Sequence, residues 1–255
     1  MNPERNEHRG KQSGKLRKRL LIGAAALVVL LAVVFAVYVN DYYRALPFAL
    51  PAMSDGSAMP VGEYDGFTIY GDSTHGIGII FYPGGKVETN AYEPLFYGLA
   101  QRGICCVAVD MPLHLAVFKP DAADEIIRQI ASIDEWYICG HSLGGAMAAR
   151  YASAHQDVLR GLILLAAYPT DQLGISFPVL SIYGSLDGVL NRDKYELSKL
   201  LAPSLQEVII DGGNHAQFGN YGAQKGDGTA EISAETQWNE AVSAISAFIL
   251  TERNP

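Results

Sequence analysis

The sequence predicts an α/β fold: a mostly parallel central sheet with helices on both faces. Three observations carry this. Short apolar runs rich in Val, Ile and Tyr alternate with helical stretches from about residue 61 onward, the pattern of strands joined by crossover helices. The last helical stretch sets Trp238, Ala241, Val242, Ile245, Phe248 and Ile249 at spacings of three and four, one apolar stripe suited to packing on a sheet. Gly140-His141-Ser142-Leu143-Gly144-Gly145 follows an apolar run directly and opens a helix of small residues, which marks a sharp strand-to-helix turn.

Taken in order, the strands fall at about Phe67–Tyr70, Ile77–Tyr82, Ile104–Asp110, Trp136–Gly140, Leu162–Ala167, Val179–Tyr183 and Glu207–Ile210. Helices fill the gaps. Tyr92 to Gln101 stops before Gly103, and Asp121 to Ser132 opens with an acidic first turn, which the helix dipole favours. Hydrophobic residues make up 49% and charged residues 18% of the 255, a composition that suits a core-forming chain and excludes an extended disordered one.

The net charge of −8 conceals an asymmetry. Arg5, Arg9, Lys11, Lys15, Arg17, Lys18 and Arg19 all precede residue 20, leaving 12 basic against 25 acidic residues beyond it, a formal charge of −13. Such a domain repels phosphate backbones, so no nucleic-acid partner is expected. The basic cluster instead abuts Leu20 to Val39, twenty positions without a charge. As a helix these would span about 30 Å, the thickness of the hydrocarbon layer.

The expected organisation is therefore a cytoplasmic basic segment (1–19), a transmembrane signal-anchor helix (20–39), a stalk (40–60) carrying Pro47, Pro51 and Pro60, and a main domain (61–255). Basic residues on the N-terminal side favour a cytoplasmic N-terminus, with Tyr38, Tyr42 and Tyr43 as an aromatic belt and the main domain outside the cell membrane. A cleaved signal peptide is the rival reading. Its apolar region usually runs about 7–15 residues and ends in a small-x-small site, where this chain has Val37-Tyr38-Val39.

The chemistry centres on Ser142. In a Gly-x-Ser-x-Gly turn the serine backbone is strained, and neighbouring residues must be small to avoid collision; Gly140, Gly144 and Gly145 meet that need. A serine hydroxyl becomes a nucleophile once a base takes its proton and a carboxylate holds that base. His215, in Asp211-Gly212-Gly213-Asn214-His215, is the candidate base. Asp187 follows the run Val179–Tyr183 and is the preferred acid, with Asp171 as competitor from one strand earlier. Tetrahedral intermediates also need N–H donors for their oxyanion. Leu143 supplies one by position, and Phe81-Tyr82-Pro83-Gly84-Gly85-Lys86 offers the second, with Gly85 preferred and Lys86 next.

The ordered set Ser142, Asp187, His215 resembles the α/β-hydrolase fold superfamily, and within it the compact, lidless dienelactone-hydrolase-like branch. The resemblance covers about residues 61 to 250. Only about ten residues separate Ala167 from Val179, where larger relatives insert a cap, and Asp110-Met111-Pro112-Leu113-His114 is similar to the family's D-x-P-G-H stretch with Leu113 in place of glycine. The loop after Ile77–Tyr82 resembles the family's H-G-x-x stretch with Pro83 replacing histidine. The branch carries a cysteine nucleophile where Ser142 stands, so the resemblance implies ordinary esters rather than dienelactones.

The expectation is a membrane-anchored serine hydrolase of the carboxylesterase kind, cleaving small-molecule esters or thioesters through an acyl-enzyme. A peptidase or acyltransferase would use the same residues, and a membrane-tethered binding module without turnover would keep the fold alone. The Lys86 side chain is a candidate contact for a substrate carboxylate. Met111, His114, Tyr168, Phe218 and Tyr221 follow strand ends at the same edge as candidate pocket-lining residues. Cys105, Cys106 and Cys139 fall in central strands; the resembled fold places one strand between them, about 9–10 Å of separation, beyond disulfide reach, so free buried thiols are expected. No cofactor and no metal is expected.

Overall fold

The computed structural model describes residues 3–54 and 56–253, with side chains from Arg17 onward; Arg5, Arg9, Lys11 and Lys15 of the basic segment lie outside the described side chains. The chain divides into two compact units, Met1–Asp41 and Tyr42–Pro255. The first is one helix, α1 (Pro3–Asn40). Its stretch Arg17–Asn40 has a mean hydropathy of 3.1, and its large apolar side chains from Leu20 to Val37 are exposed. That is long and apolar enough to cross a bilayer, as an anchor or as a signal sequence.

The second unit holds an eight-stranded sheet in the order β1-β2-β4-β3-β5-β6-β7-β8. Its elements are β1 (Val61–Tyr64), β2 (Phe67–Tyr70), β3 (Ile77–Tyr82), α2 (Glu93–Ala100), β4 (Ile104–Val109), α3 (Ala122–Gln129), β5 (Glu135–His141), α4 (Leu143–Ala154), β6 (Leu159–Leu165), β7 (Val179–Gly184), α5 (Arg192–Ser198), β8 (Leu205–Ile210) and α6 (Ala234–Arg253). The strands from β4 to β8 run parallel. β1 and β2 form an antiparallel hairpin closed by Asp65-Gly66, with Gly66 at φ 84°, as a tight turn with a left-handed residue requires.

Period two along the buried β3 run divides the core into two layers. Ile79 and Phe81 face one layer with Leu95, Phe96 and Leu99 of α2 and Val242, Ile245 and Phe248 of α6. Ile80 and Tyr82 face the other with Ile126 of α3 and Ala148, Ala149 and Ala152 of α4. Burying each large apolar side chain contributes about 1.5–3 kcal/mol. The α6 stripe read from the sequence is thus what seats that helix. Residues 166–178, between β6 and β7, carry no helix or strand.

Two expectations change. β1 escapes the sequence reading because Val-Gly-Glu-Tyr is a short, mostly exposed edge strand without apolar alternation. Residues 42–60, expected as a stalk, belong to the second unit and are docked on it. Tyr43 N–H donates to Lys86 O at 2.7 Å and Tyr43 O accepts from Glu88 N–H at 3.0 Å, pairing Tyr43 with Val87 as a single parallel bridge. Ala45 N–H donates to Glu88 Oε2 at 2.7 Å, Leu46 N–H to Asn220 O at 2.8 Å, and Tyr97 Oη to Ala52 O at 2.7 Å. Tyr42 lies tilted against His114 with ring centroids 4.0 Å apart, and Tyr43 packs against Tyr221 at 5.4 Å. These two half-buried tyrosines pack on the folded unit.

Candidate active site

A parallel sheet brings the loops after its strands to one edge, where sites of this architecture assemble. Ser142 directly follows β5 and caps α4 at φ 51°, ψ −120°. So strained a backbone, worth about 1–3 kcal/mol, persists only when its surroundings fix it. Here Ser142 N–H donates to Leu165 O at 2.9 Å, and the turn closes against backbone on both sides. A Cβ on Gly140 would lie 2.6 Å from the carbonyl carbon of Gly144, and one on Gly144 would lie 2.2 Å from Tyr82 O. The elbow admits no side chain at either position.

His215 stands in the loop after β8 and Asp187 in the loop after β7. His215 Nδ1 is 2.9 Å from Asp187 Oδ2, and both side chains are buried. The other carboxylate oxygen accepts the N–H groups of Val189 and Leu190, each at 2.8 Å. Asp187 is thereby fully occupied and oriented. His215 Nε2 is buried without a hydrogen-bond partner among the described residues. The rival acid, Asp171, is exposed and takes its hydrogen bond from Thr170 Oγ1 at 2.8 Å; it makes no contact with His215.

Ser142 and His215 line one cavity of about 320 Å³, walled by Leu143, Ala146, Ala166, Tyr168, Val189 and Leu190 among others. Besides His215, its walls carry no acidic or basic side chain. A larger cavity of about 530 Å³ opens at the opposite edge of the sheet, lined by Glu135, Arg160 and Arg253, but no histidine faces it.

The oxyanion candidates separate. Leu143 heads α4, so its N–H has no intrahelical acceptor. Gly85 lies against it, close enough that a Cβ there would come within 2.9 Å of Leu143 Cδ2, and the Gly85 N–H has no acceptor among the described residues. Lys86 is different. Its N–H donates to His114 O at 2.7 Å, which removes it as an oxyanion donor.

The pocket-lining expectations also divide. Tyr168 lines the cavity with Ser142, whereas Met111 and His114 line a separate hollow with Thr68 and Asp110. Phe218 and Tyr221 are core residues. The three cysteines are free and buried, with β3 between their strands.

Two features go beyond the sequence reading, which places backbone strain at Ser142 alone. The five non-glycine residues with positive φ among those described are Lys86, Leu113, His114, Ser142 and Ala166. All follow the carboxyl ends of β3 to β6, so the strain is gathered at this edge. Asp227 is the second. Its Oδ1 accepts from Gly188 N–H at 3.0 Å and His215 N–H at 3.2 Å, and its Oδ2 from Ala216 N–H at 2.8 Å. One carboxylate ties the acid loop to the base loop. The flanking glycines of Gly226-Asp227-Gly228 were the only sequence signal, and they mark a turn.

A family model described as "Alpha/beta hydrolase family" matches residues 78–239, from β3 into α6. The chain belongs to the alpha/beta hydrolase family. The hydrolase is similar in fold to several solved structures of low identity. A CIB-like hydrolase from Thermoplasma acidophilum aligns with a TM-score of 0.53 at 16% identity, covering 74% of this chain and 100% of that one. Est1E from Butyrivibrio proteoclasticus gives 0.54 at 15%, over 76% and 100%. A protein described as a lipase from Acinetobacter baumannii gives 0.55 at 13%, over 76% and 91%. No curated protein matches the hydrolase by sequence.

Proposed function

We propose that the hydrolase is a membrane-anchored serine esterase that cleaves carboxylic esters or thioesters through an acyl-enzyme on Ser142. The observation that carries this reading is the His215–Asp187 pair, with Nδ1 held at 2.9 Å and Nε2 left unpartnered beside the cavity that Ser142 lines. In this reading Ser142 Oγ attacks the substrate carbonyl carbon and passes its proton to His215 Nε2. Asp187 holds the Nδ1–H and stabilises the imidazolium. The N–H groups of Leu143 and Gly85 face the oxyanion, each donor contributing about 2.7–4 kcal/mol to the transition state. His215 then returns the proton to the departing alcohol or thiol, and water repeats the sequence on the acyl-enzyme.

The uncharged cavity walls favour an apolar acyl group and offer no cation to a carboxylate. A fluorophosphonate probe tests the reaction: the full chain in detergent should label covalently, and Ser142→Ala should not. Absence of wild-type labelling, or equal labelling of the variant, overturns the reading. For the anchor, Leu20–Val39 would cross the cell membrane with residues 1–19 cytoplasmic and the catalytic unit outside. A mature N-terminus between residues 40 and 55, found by sequencing the protein from cells, would refute it.

A further inference from the structure

His141 separates Gly140 from Ser142 and looks like a spacer in the motif, yet its ring is wholly buried. It stands 4.6 Å from the ring of His215, 5.7 Å from Tyr92 and 5.8 Å from Phe218, centroid to centroid. Its Nδ1 is 2.8 Å from Tyr92 Oη, and that same oxygen accepts the Gly84 N–H at 3.0 Å. A phenol has one proton. In the arrangement where Tyr92 donates that proton to His141 Nδ1, the imidazole is the Nε2–H tautomer and the phenol oxygen still accepts the Gly84 N–H.

Burial, reinforced by the neighbouring His215, holds His141 well below the usual histidine range, against the opposing pull of the His215 backbone carbonyl. A neutral ring beside the base adds no second cation to disfavour the imidazolium. The packing is tight. A Cβ on Gly84 would lie 2.7 Å from His141 Nδ1 and 2.9 Å from Tyr92 Oη, so the contact exists only because residue 84 is glycine. Gly85, the candidate oxyanion donor, is the next residue.

We propose that Tyr92 and His141 act as a positioning pair for acyl transfer, Tyr92 holding the Gly84-Gly85 turn so that the Gly85 N–H meets the oxyanion, and His141 seating the base against that turn. Neither residue touches the reacting atoms. The inference rests on the serine-hydrolase reading above.

Tyr92→Phe removes one oxygen and keeps the ring. In the full-length hydrolase its kcat on p-nitrophenyl butyrate should fall about 10- to 100-fold, a fraction of the loss from deleting an oxyanion donor, with KM changed by less than about threefold. Affinity for a trifluoromethyl ketone, which forms the tetrahedral adduct, should fall in the same proportion, while affinity for the unreactive matching alcohol should not. Loss of kcat below about twofold, or equal loss of both ligands, overturns the proposal. If thermal melting shows Tyr92→Phe unfolded, His141→Asn and His141→Phe replace it. Asn keeps an acceptor for the Tyr92 proton and should retain at least about tenfold more kcat than Phe; equal activities overturn the proposal. Wild type that fails to label with fluorophosphonate overturns the parent reading and this one together, whereas labelled wild type with an unimpaired Tyr92→Phe sinks this inference alone.

Discussion

Asp227→Ala should loosen the two loops that carry Asp187 and His215. The substitution leaves the N–H groups of Gly188, His215 and Ala216 without their acceptor. Hydrogen bonds to a charged group contribute about 1.5–3 kcal/mol each. The carboxylate is only half-buried, so water recovers part of that, and a net loss of about 2–4 kcal/mol follows. For a chain of this size each kcal/mol moves the melting temperature by roughly 2–4 °C, which places the variant about 5–15 °C below wild type. Differential scanning fluorimetry reads this directly. Because the same bonds hold the base loop, kcat should fall about tenfold through lost orientation, with little change in KM. Asp227→Asn keeps one acceptor oxygen and should fall between. An alanine variant melting within about 1 °C of wild type with unchanged kcat refutes the clamp.

Leu113→Gly should raise stability by up to about 1 kcal/mol in urea unfolding: Leu113 sits at φ 55°, a left-handed conformation costing about 1–2 kcal/mol, against glycine's extra chain entropy of about 0.5–1. A less stable variant would show the leucine side chain to be the larger effect. His141 sets an acid limb. Its folded-state affinity for protons is depressed by burial, so the unfolded chain alone binds the proton as pH drops below about 6.5, and stability falls by about 1.4 kcal/mol per pH unit. Replacing it with Asn should flatten that slope in urea titrations between about pH 6 and 5; an unchanged slope contradicts the assignment. Cys105, its thiol pushed up to about 12 by burial and then by Asp72, should resist iodoacetamide at pH 8 in native protein and react on unfolding, as mass spectrometry would show.

What was readable in the sequence was what repeats locally. The Ile77–Tyr82 run is buried on both faces and so reads as an unbroken apolar stretch. The elbow announced itself through glycines whose substitution would strike backbone, and α6 through its stripe. What escaped depends on partners far along the chain. The bridge between Tyr43 and Val87 is one residue long and leaves no period to detect. The role of Asp227 depends on N–H groups from two loops. The loss of Lys86 as a donor depends on His114 O, presented by a turn in which Leu113 adopts the conformation for which glycine is the ordinary residue. The family resemblance marked that stretch as similar to a glycine-bearing one; only geometry shows the leucine meeting the same demand under strain.

The docked segment 42–60 decides where a soluble fragment of the hydrolase must begin. Cutting at residue 61, the boundary suggested by composition, would strip a covering from Val87, Tyr97 and Tyr221 and leave the carbonyls of Lys86 and Asn220 without their donors. Both carbonyls belong to loops that flank the candidate site, so a fragment so trimmed would report on a damaged enzyme. One starting at Tyr42 discards only the apolar helix and keeps the whole folded body.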